Sequence, residues 1–331
     1  SAWTLPLALN LDYEELINID GLTGNKVDKI EYRGKVNIES KIAYLFNLYE
    51  QSSYKLLFEI LSNEINVRVS DMPFTIKSAG KVITFPSGTV MLPGRGQRYN
   101  GSELSGLLSK MSDGCETDIY GADTSFGTEF DLGSNHFRRV TLPKIAIITG
   151  RGTSYSAIGE LWHLLDQKYS IPASLIDASF LPEVDINSYN TIILSGNYKF
   201  PKEINEKLKN WSQLSQNAII ATEQSLSTLN EIGMMEIKEQ TGRGENINGI
   251  ILKADYDKDS PLFYGVSSPQ IYLFKRGRIY LEKTGSQAAK YSNDPLASGY
   301  IKSEALSKLK ETPAILTGNK SVYFADNPNF R

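Results

Sequence analysis

The chain has 331 residues, of which 40% are hydrophobic, and this is enough for about two domains with well-packed cores. Lys and Arg number 35 against 38 Asp and Glu, and the formal net charge of −3 gives no electrostatic reason to expect nucleic acid as a partner. No apolar run reaches the roughly 18 residues of a membrane span, so no transmembrane segment is expected, and the single cysteine excludes an intramolecular disulfide.

The first part of the chain predicts a small α/β layer domain over residues 38–122, preceded by an N-terminal extension over 1–37 that shows little periodicity. The predicted elements are strands at 41–46, 67–69, 82–85, 89–92 and 117–120, and helices at 54–61 and 102–110, the second with Ser102 as its N-cap. The PSG sequence at 86–88 is a turn signal between two of these strands, so it predicts a hairpin.

The second domain is predicted over 144–331, after a connection at 123–143 that is rich in Gly, Ser, Asn, Asp and Thr. Its predicted strands are 144–149, 173–176, 191–195 and 218–222, its predicted helices are 156–168, 202–214 and 227–232, and later strands are predicted at 270–274, 278–281 and 321–324. Strands that alternate with helices of this length predict a parallel sheet with helices on both faces.

Ligands of open α/β sheets bind at the carboxyl ends of the strands, where this sequence places several small and polar residues. The GRG at 150–152 lies between a strand and a helix, but Tyr155 stands where the dinucleotide-binding fingerprint has its third glycine. A plain tight turn is therefore favoured over a phosphate site. The candidate ligand pocket comprises Gly150, Gly152, Ser154, Tyr155, Glu160, His163, Ser195, Tyr198 and Glu223.

A catalytic zinc site needs three protein ligands, usually with two or more histidines among them. The two histidines of this chain, His136 and His163, are far apart and lie outside the H-x-x-E and H-E-x-x-H contexts. Glu160 and His163 form an E-x-x-H pair on a predicted helix, but carboxylate-bridged metal centres need two such pairs. A structural role is therefore favoured for His163, and no metal is expected in this chain.

A nucleophile in an α/β domain is expected on a tight turn between a strand and a helix. The matching place follows the strand at 218–222, and it has neither a Cys nor the glycines that a strained turn needs. Cys115 lies in the other predicted domain, and no histidine follows His163, so the usual Cys-then-His order is excluded. Ser195 and Ser225 lack a G-x-S-x-G setting, and no catalytic residue is predicted.

Several segments, in the same order, resemble the region that follows the peptidase domain in long bacterial zinc carboxypeptidases of the carboxypeptidase A/T superfamily. They are AWTLPLA at 2–8, DLGSNHF at 131–137, GELWHLLD at 159–166, DPLASG at 294–299 and FADNPNF at 324–330. The resemblance implies that the second domain is of the class I glutamine-amidotransferase-like, flavodoxin-like type, without a Cys at the nucleophile position. It also implies a zinc peptidase domain upstream, whose metal ligands have no counterparts here.

The function implied by the resemblance is that of an accessory, non-catalytic region, which supports the peptidase domain or binds peptide or glycan near it. The expected partner is the upstream peptidase domain, zinc is expected only there, and the expected location is secreted or periplasmic, although SAWTLP at 1–6 lacks the features of a signal peptide. The alternatives are a small-molecule hydrolase that uses Ser195 or Glu223 with His163, and a ligand-sensing α/β domain.

Overall fold

The computed structural model describes residues 6, 11, 14, 16–21, 23–28, 30–222, 225–234, 247–277, 286–309, 313–317 and 322–325. The helices are α1 (Gln51–Ser62), α2 (Gly101–Gly114), α3 (Tyr155–Trp162), which continues as a π-helical segment (His163–Lys168), α4 (Lys202–Ser212), α5 (Ser225–Ile232) and α6 (Ser303–Leu309). The strands are β1 (Ala43–Phe46), β2 (Val67–Ser70), β3 (Phe74–Ser78), β4 (Lys81–Phe85), β5 (Val90–Pro93), β6 (Tyr120–Gly121), β7 (Phe137–Val140), β8 (Ile145–Thr149), β9 (Ala173–Asp177), β10 (Thr191–Ser195), β11 (Ala218–Thr222), β12 (Ile247–Tyr256), β13 (Ile271–Gly277), β14 (Ser286–Ser298), β15 (Pro313–Thr317) and β16 (Val322–Ala325).

The first unit is a five-stranded antiparallel sheet in the order β6-β1-β5-β2-β7, covered on one face by α1 and α2. Leu56 and Ile60 lie one helical turn apart on α1 and are fully buried against this sheet. Helix α2 begins with a capping box, in which the Asn100 side chain accepts from the Glu103 N–H and the Glu103 carboxylate accepts from the Asn100 N–H. The predicted N-cap Ser102 is therefore wrong by two residues.

The opposite face of the first sheet is covered by a two-stranded sheet of β3 and β4. These strands form a hairpin whose turn is Ala79–Gly80, and both turn residues have positive φ, as a two-residue hairpin turn requires. The predicted hairpin around 86–88 is wrong, because β4 pairs with β3 whereas β5 lies in the larger sheet between β1 and β2. The PSG segment is thus a crossing between two layers.

The second unit is a nine-stranded sheet in the order β13-β12-β14-β15-β16-β11-β10-β8-β9. The five strands from β16 to β9 are parallel, which confirms the α/β class expected from the sequence. Alternate residues of β8 face opposite layers: Ala146 and Ile148 pack with α4 and α5, whereas Ile145 and Ile147 pack with α3. Helices therefore cover both faces of this parallel half.

The other half of the nine-stranded sheet is antiparallel, from β13 to β15, and the β15–β16 pairing joins it to the parallel strands. Its core includes Leu252, Leu273 and Tyr291, and α6 contributes the fully buried Leu309. Two of its long strands, β12 and β14, are missing from the sequence prediction, and the predicted strand at 278–281 lies outside the described residues.

Part of the predicted connection belongs to the first unit, because β7 pairs with β2 over four consecutive residues. In the N-terminal extension, Val36 forms a parallel bridge with Ile119, and the Asn37 side chain donates to Ser78 Oγ at 2.8 Å. No helix in the described parts of the chain is both long and apolar enough to cross a bilayer.

Candidate functional site

At the carboxyl ends of β8 and β10, the chain's own backbone covers the edge of the sheet. The loop after β8 folds over the end of β10, where Ser154 N–H donates to Ser195 O at 2.9 Å and Asn197 N–H donates to Gly152 O at 3.0 Å. Gly152 has φ of +98°, and a Cβ there would lie 2.3 Å from Asn197 O. Backbone contact and positive φ therefore account for this glycine without a phosphate ligand.

Tyr198 lies at the same edge as a buried structural side chain, with 1% of its surface exposed. Its hydroxyl donates to the carbonyl of Ile148 at 2.7 Å, and its own backbone N–H donates to Thr228 Oγ1 at 2.9 Å. Burial is the largest influence on its phenol and raises the pKa, so the side chain remains a neutral donor. Tyr198 was predicted to line a pocket, but in the structure it holds β8, β10 and α5 together.

The hydroxyls of two buried serines at this edge, Ser195 and Ser225, are engaged in internal hydrogen bonds. Ser195 is fully buried, and its Oγ accepts from Thr222 Oγ1 at 2.9 Å. Ser225 is also fully buried, and its Oγ accepts from Gly196 N–H and donates to Gly196 O, both at 2.9 Å. Neither hydroxyl is presented to solvent, so neither is placed as a nucleophile in this structure.

The remaining predicted pocket residues do not join this cluster. Tyr155 is 75% exposed at the start of α3, and Glu160 and His163 are exposed about two helical turns further along the chain. No hydrogen bond is found between the Glu160 and His163 side chains among the described residues. Glu223 lies outside the described residues. The structure therefore brings together Gly150, Gly152, Ser154, Ser195 and Tyr198, and leaves Glu160 and His163 on the surface.

Asp177 is a residue at this edge that the sequence analysis missed. It ends β9, and its carboxylate lies so close to Gly150 that a Cβ on that glycine would be 2.6 Å from Oδ2. Oδ1 accepts from the Ser179 hydroxyl at 2.6 Å and from its N–H at 2.9 Å, and these hydrogen bonds lower the pKa of Asp177. A carboxylate held ionised beside the GRG turn disfavours an anion there.

A larger opening lies between the first and second units, and we call it the inter-unit cleft. Its volume is about 760 Å³, within the range of small-ligand sites. The lining residues are Leu48, Tyr54, Val69, Asp71, Arg138, Val140, Asp259, Pro261, Leu262 and Tyr264. The walls are thus mostly apolar, with three charged side chains among them.

The charged group on the first-unit side is held by hydrogen bonds. Asp71 bonds with His136 Nδ1 at 2.8 Å through Oδ1 and accepts from Arg138 Nε at 3.1 Å through Oδ2. Partial burial of Asp71 acts to raise its pKa, but the hydrogen bonds from His136 and Arg138 outweigh it and the pKa is lowered. The ionised carboxylate orients the guanidinium at the cleft.

Tyr264 joins the two units at the cleft, because Tyr54 Oη donates to its carbonyl at 2.9 Å. Close backbone approach supports this contact: a Cβ on Gly88 would lie 2.4 Å from Tyr264 Cβ, and one on Gly265 would lie 2.3 Å from Leu48 O. Burial is the largest influence on the Tyr264 phenol and raises its pKa. The negative charges of Asp71 and Asp259 raise this pKa further, and the positive charge of Arg138 opposes them. The three charges therefore act on one hydroxyl.

The single cysteine lies in the first unit, away from the carboxyl edge. Cys115 is buried and its Sγ lies 3.3 Å from Glu59 Oε2, and burial, followed by this hydrogen bond, raises the pKa of the thiol to about 12. Such a thiol is not a nucleophile at neutral pH. No group of three or more His, Cys, Asp or Glu side chains that could hold a metal ion occurs in the described ranges.

The chain matches no known protein-family profile and no curated protein sequence. Among solved structures, 42 chains match. PurLQS from Thermotoga maritima has a TM-score of 0.41 and 15% identity, over 56% of this chain and 86% of that chain. A GMP synthase subunit protein from Thermoplasma acidophilum has a TM-score of 0.37 and 8% identity, over 57% of this chain and 86% of its own.

A ThuA-like protein from Parabacteroides merdae has a TM-score of 0.39 and 11% identity, over 55% of this chain and 78% of that chain. With TM-scores below 0.5 and identities of 15% or less, these likenesses carry no argument about this chain. The strand order itself shows a mixed α/β fold whose parallel half has helices on both faces.

Proposed function

We propose that this chain is an accessory, non-catalytic region of a zinc metallocarboxypeptidase, and that it supports the peptidase domain by binding peptide. The link to a carboxypeptidase rests on the five sequence segments alone, and the comparisons with known proteins do not bear on it. The proposal places zinc, the catalytic residues and the secreted or periplasmic location with the parent protein.

The observation that carries the non-catalytic part of the proposal is that the hydroxyls of Ser195 and Ser225, at the carboxyl edge, form hydrogen bonds within the chain. Ser195 and Ser225 are fully buried and hydrogen-bonded within the chain. A hydrolase that used Ser195 with His163 would need the two side chains in hydrogen-bond contact, but His163 is exposed about two turns along from the start of α3. The form of this alternative that uses Ser195 is therefore disfavoured, and Glu223 lies outside the described residues.

The observation that supports binding is the inter-unit cleft, which has apolar walls and charged side chains of both signs. Peptides present apolar side chains together with charged termini, so their chemistry matches such a cleft. A glycan presents hydroxyl groups over most of its surface, and the side chains of Leu48, Val69, Val140, Pro261 and Leu262 offer no hydrogen-bond partner for them.

The experiment is to measure zinc content and carboxypeptidase turnover on the purified 331-residue chain, with a general esterase substrate as a second assay. We expect no stoichiometric zinc and no turnover in either assay. Stoichiometric zinc together with carboxypeptidase turnover would refute the proposal. Esterase turnover that is lost in His163→Ala would instead support the hydrolase alternative.

A further inference from the structure

The inter-unit cleft has the size of a short peptide. Its volume of about 760 Å³ equals that of a cube roughly 9 Å on edge, close to the roughly 10 Å that three extended residues span. Val69, Val140 and Leu262 line it and are only partly buried by the protein. Covering such half-exposed aliphatic surface with apolar side chains of a ligand would be favourable.

Arg138 supplies a carboxylate-binding group at this cleft. Its Nε donates to Asp71, which fixes the plane of the guanidinium, and no other hydrogen bond of its side chain is found within the described residues. The two terminal nitrogens still carry four N–H donors, and their geometry suits bidentate binding of a carboxylate. The side chain is 75% exposed, so a ligand has access to it.

Asp259 supplies the opposite charge from the second unit. Its backbone N–H donates to Asp257 Oδ1 at 3.1 Å, which fixes the turn that carries it. Its own carboxylate is exposed and has no ion-pair partner among the residues that the structure describes. An ammonium group is the natural partner of such a carboxylate.

We propose that the inter-unit cleft binds a short apolar peptide as a zwitterion, with the C-terminal carboxylate on Arg138 and the N-terminal ammonium on Asp259. This inference rests on the peptide-binding part of the proposed function and names its ligand class and its site. The aliphatic walls would take the side chains between the two termini.

The balance of charge at the cleft distinguishes a zwitterion from other ligands. A phosphate would meet the one guanidinium together with two carboxylates, those of Asp71 and Asp259, which repel it. A simple cation would meet Arg138. A ligand with one charge of each sign, separated by apolar groups, leaves neither charge without a counterpart.

Isothermal titration calorimetry of the whole chain with the tripeptide Ala-Leu-Ala tests the proposal, with the C-terminal amide and the N-acetyl form of the same peptide as probes. We expect one bound peptide per chain and a loss of affinity of about tenfold or more on amidation, since hydrogen bonds to charged groups contribute this much. Acetylation of the N-terminus should also weaken binding.

The decisive comparison is whether a change in the protein removes the effect of the matching change in the peptide. In Arg138→Gln, amidation of the peptide should cause no further loss, and in Asp259→Asn, acetylation should cause no further loss. Arg139→Gln, a change at the neighbouring position of β7, is the matched control and should keep the full effect of amidation. A general structural defect would weaken all three peptides equally and would not produce this pattern.

Arg138→Lys retains the positive charge near Asp71, and it replaces the Gln variant if that variant does not fold; we expect weaker binding with a smaller effect of amidation. Absence of binding by the unmodified peptide would overturn the inference. So would an amidation effect that persists in Arg138→Gln, or one that is as large in Arg138→Lys as in the unaltered chain. The result is independent of the zinc and turnover assays, so the proposed function and this inference can fail separately.

Discussion

The hydroxyl of Ser225 provides the sharpest test of whether the carboxyl edge is structural. It is fully buried, accepts from Gly196 N–H and donates to Gly196 O, each at 2.9 Å. Ser225→Ala removes both bonds and leaves two buried backbone groups without these partners. Since an unpaired buried polar group costs about 1–3 kcal/mol, we expect the free energy of unfolding to fall by about 2–4 kcal/mol.

Denaturant unfolding followed by the fluorescence of Trp211 measures this loss, because Trp211 is buried in the core between α4 and the parallel strands. The matched control is Ser227→Ala, two residues further along α5, where the hydroxyl donates to Oδ1 of the exposed Asn197 at 2.9 Å. We expect the control to change stability by no more than about 0.5 kcal/mol. Equal stability of the Ser225→Ala and control variants would refute the structural role.

Three further predictions follow from single side chains. Lys207→Met removes an ammonium that donates to Val184 O at 2.7 Å and to Leu181 O at 3.0 Å. The free energy of unfolding should therefore fall by about 1–3 kcal/mol, measured by thermal unfolding. An unchanged midpoint would contradict this role. Cys115, whose pKa is raised to about 12, should react with a disulfide reagent at pH 8 only as fast as the protein opens. The stability that the buried thiol contributes is present below its ordinary pKa of 9.0 and is lost as pH rises toward 12. The pKa of Asp71 is lowered, so this carboxylate contributes stability above its ordinary pKa of 3.8, and the contribution is lost as pH falls below that value. Asp71→Asn should therefore make the free energy of unfolding depend less on pH in the acid range. An unchanged pH profile would argue against the bond to His136.

The parallel half of the second unit could be predicted because each of its strands carries its own signal. The apolar runs at 144–149, 191–195 and 218–222 are continuous, as in strands buried on both faces. Helix α4 has its buried residues Ile204, Leu208 and Trp211 along one face, so its period is visible in the sequence. Local periodicity and three-dimensional burial agree in this region.

The layers of the first unit could not be predicted in the same way. Strand β4 has only Phe85 buried, and β5 follows β4 after the PSG turn signal, so adjacency along the chain favoured the wrong pairing. The correct hairpin turns at Ala79, a residue that carries no preference for positive φ. Phe74 stacks on its cross-strand partner Phe85, with ring centroids 5.5 Å apart, and contacts Phe137 of β7 at 5.2 Å. The second contact is tertiary, so adjacency along the chain does not reveal it.

The candidate pocket was predicted from the general rule that ligands bind at the carboxyl ends of parallel strands. Gly150, Ser195 and Tyr198 do lie at one edge, but the sequence does not reveal that the hydroxyls of Ser195 and Tyr198 bond to groups of the chain itself. Ser225, which seals this edge from α5, was rejected only as a nucleophile. Whether an edge is open depends on hydrogen-bond geometry that residue types alone do not specify.

The inter-unit cleft lacks any local signature, since Asp71 and Arg138 are 67 positions apart and Asp259 comes from the other unit. Yet the same principle explains both sites. At the carboxyl edge the hydroxyls of Ser195, Tyr198 and Ser225 have internal partners, so they offer little to a ligand. At the cleft, the terminal nitrogens of Arg138 have no hydrogen-bond partner among the described residues, and the walls are only partly covered. The peptide site that we propose therefore lies where two packed units meet. A peptide bound there would also stabilise the contact between the units, because it would bind only the assembled pair.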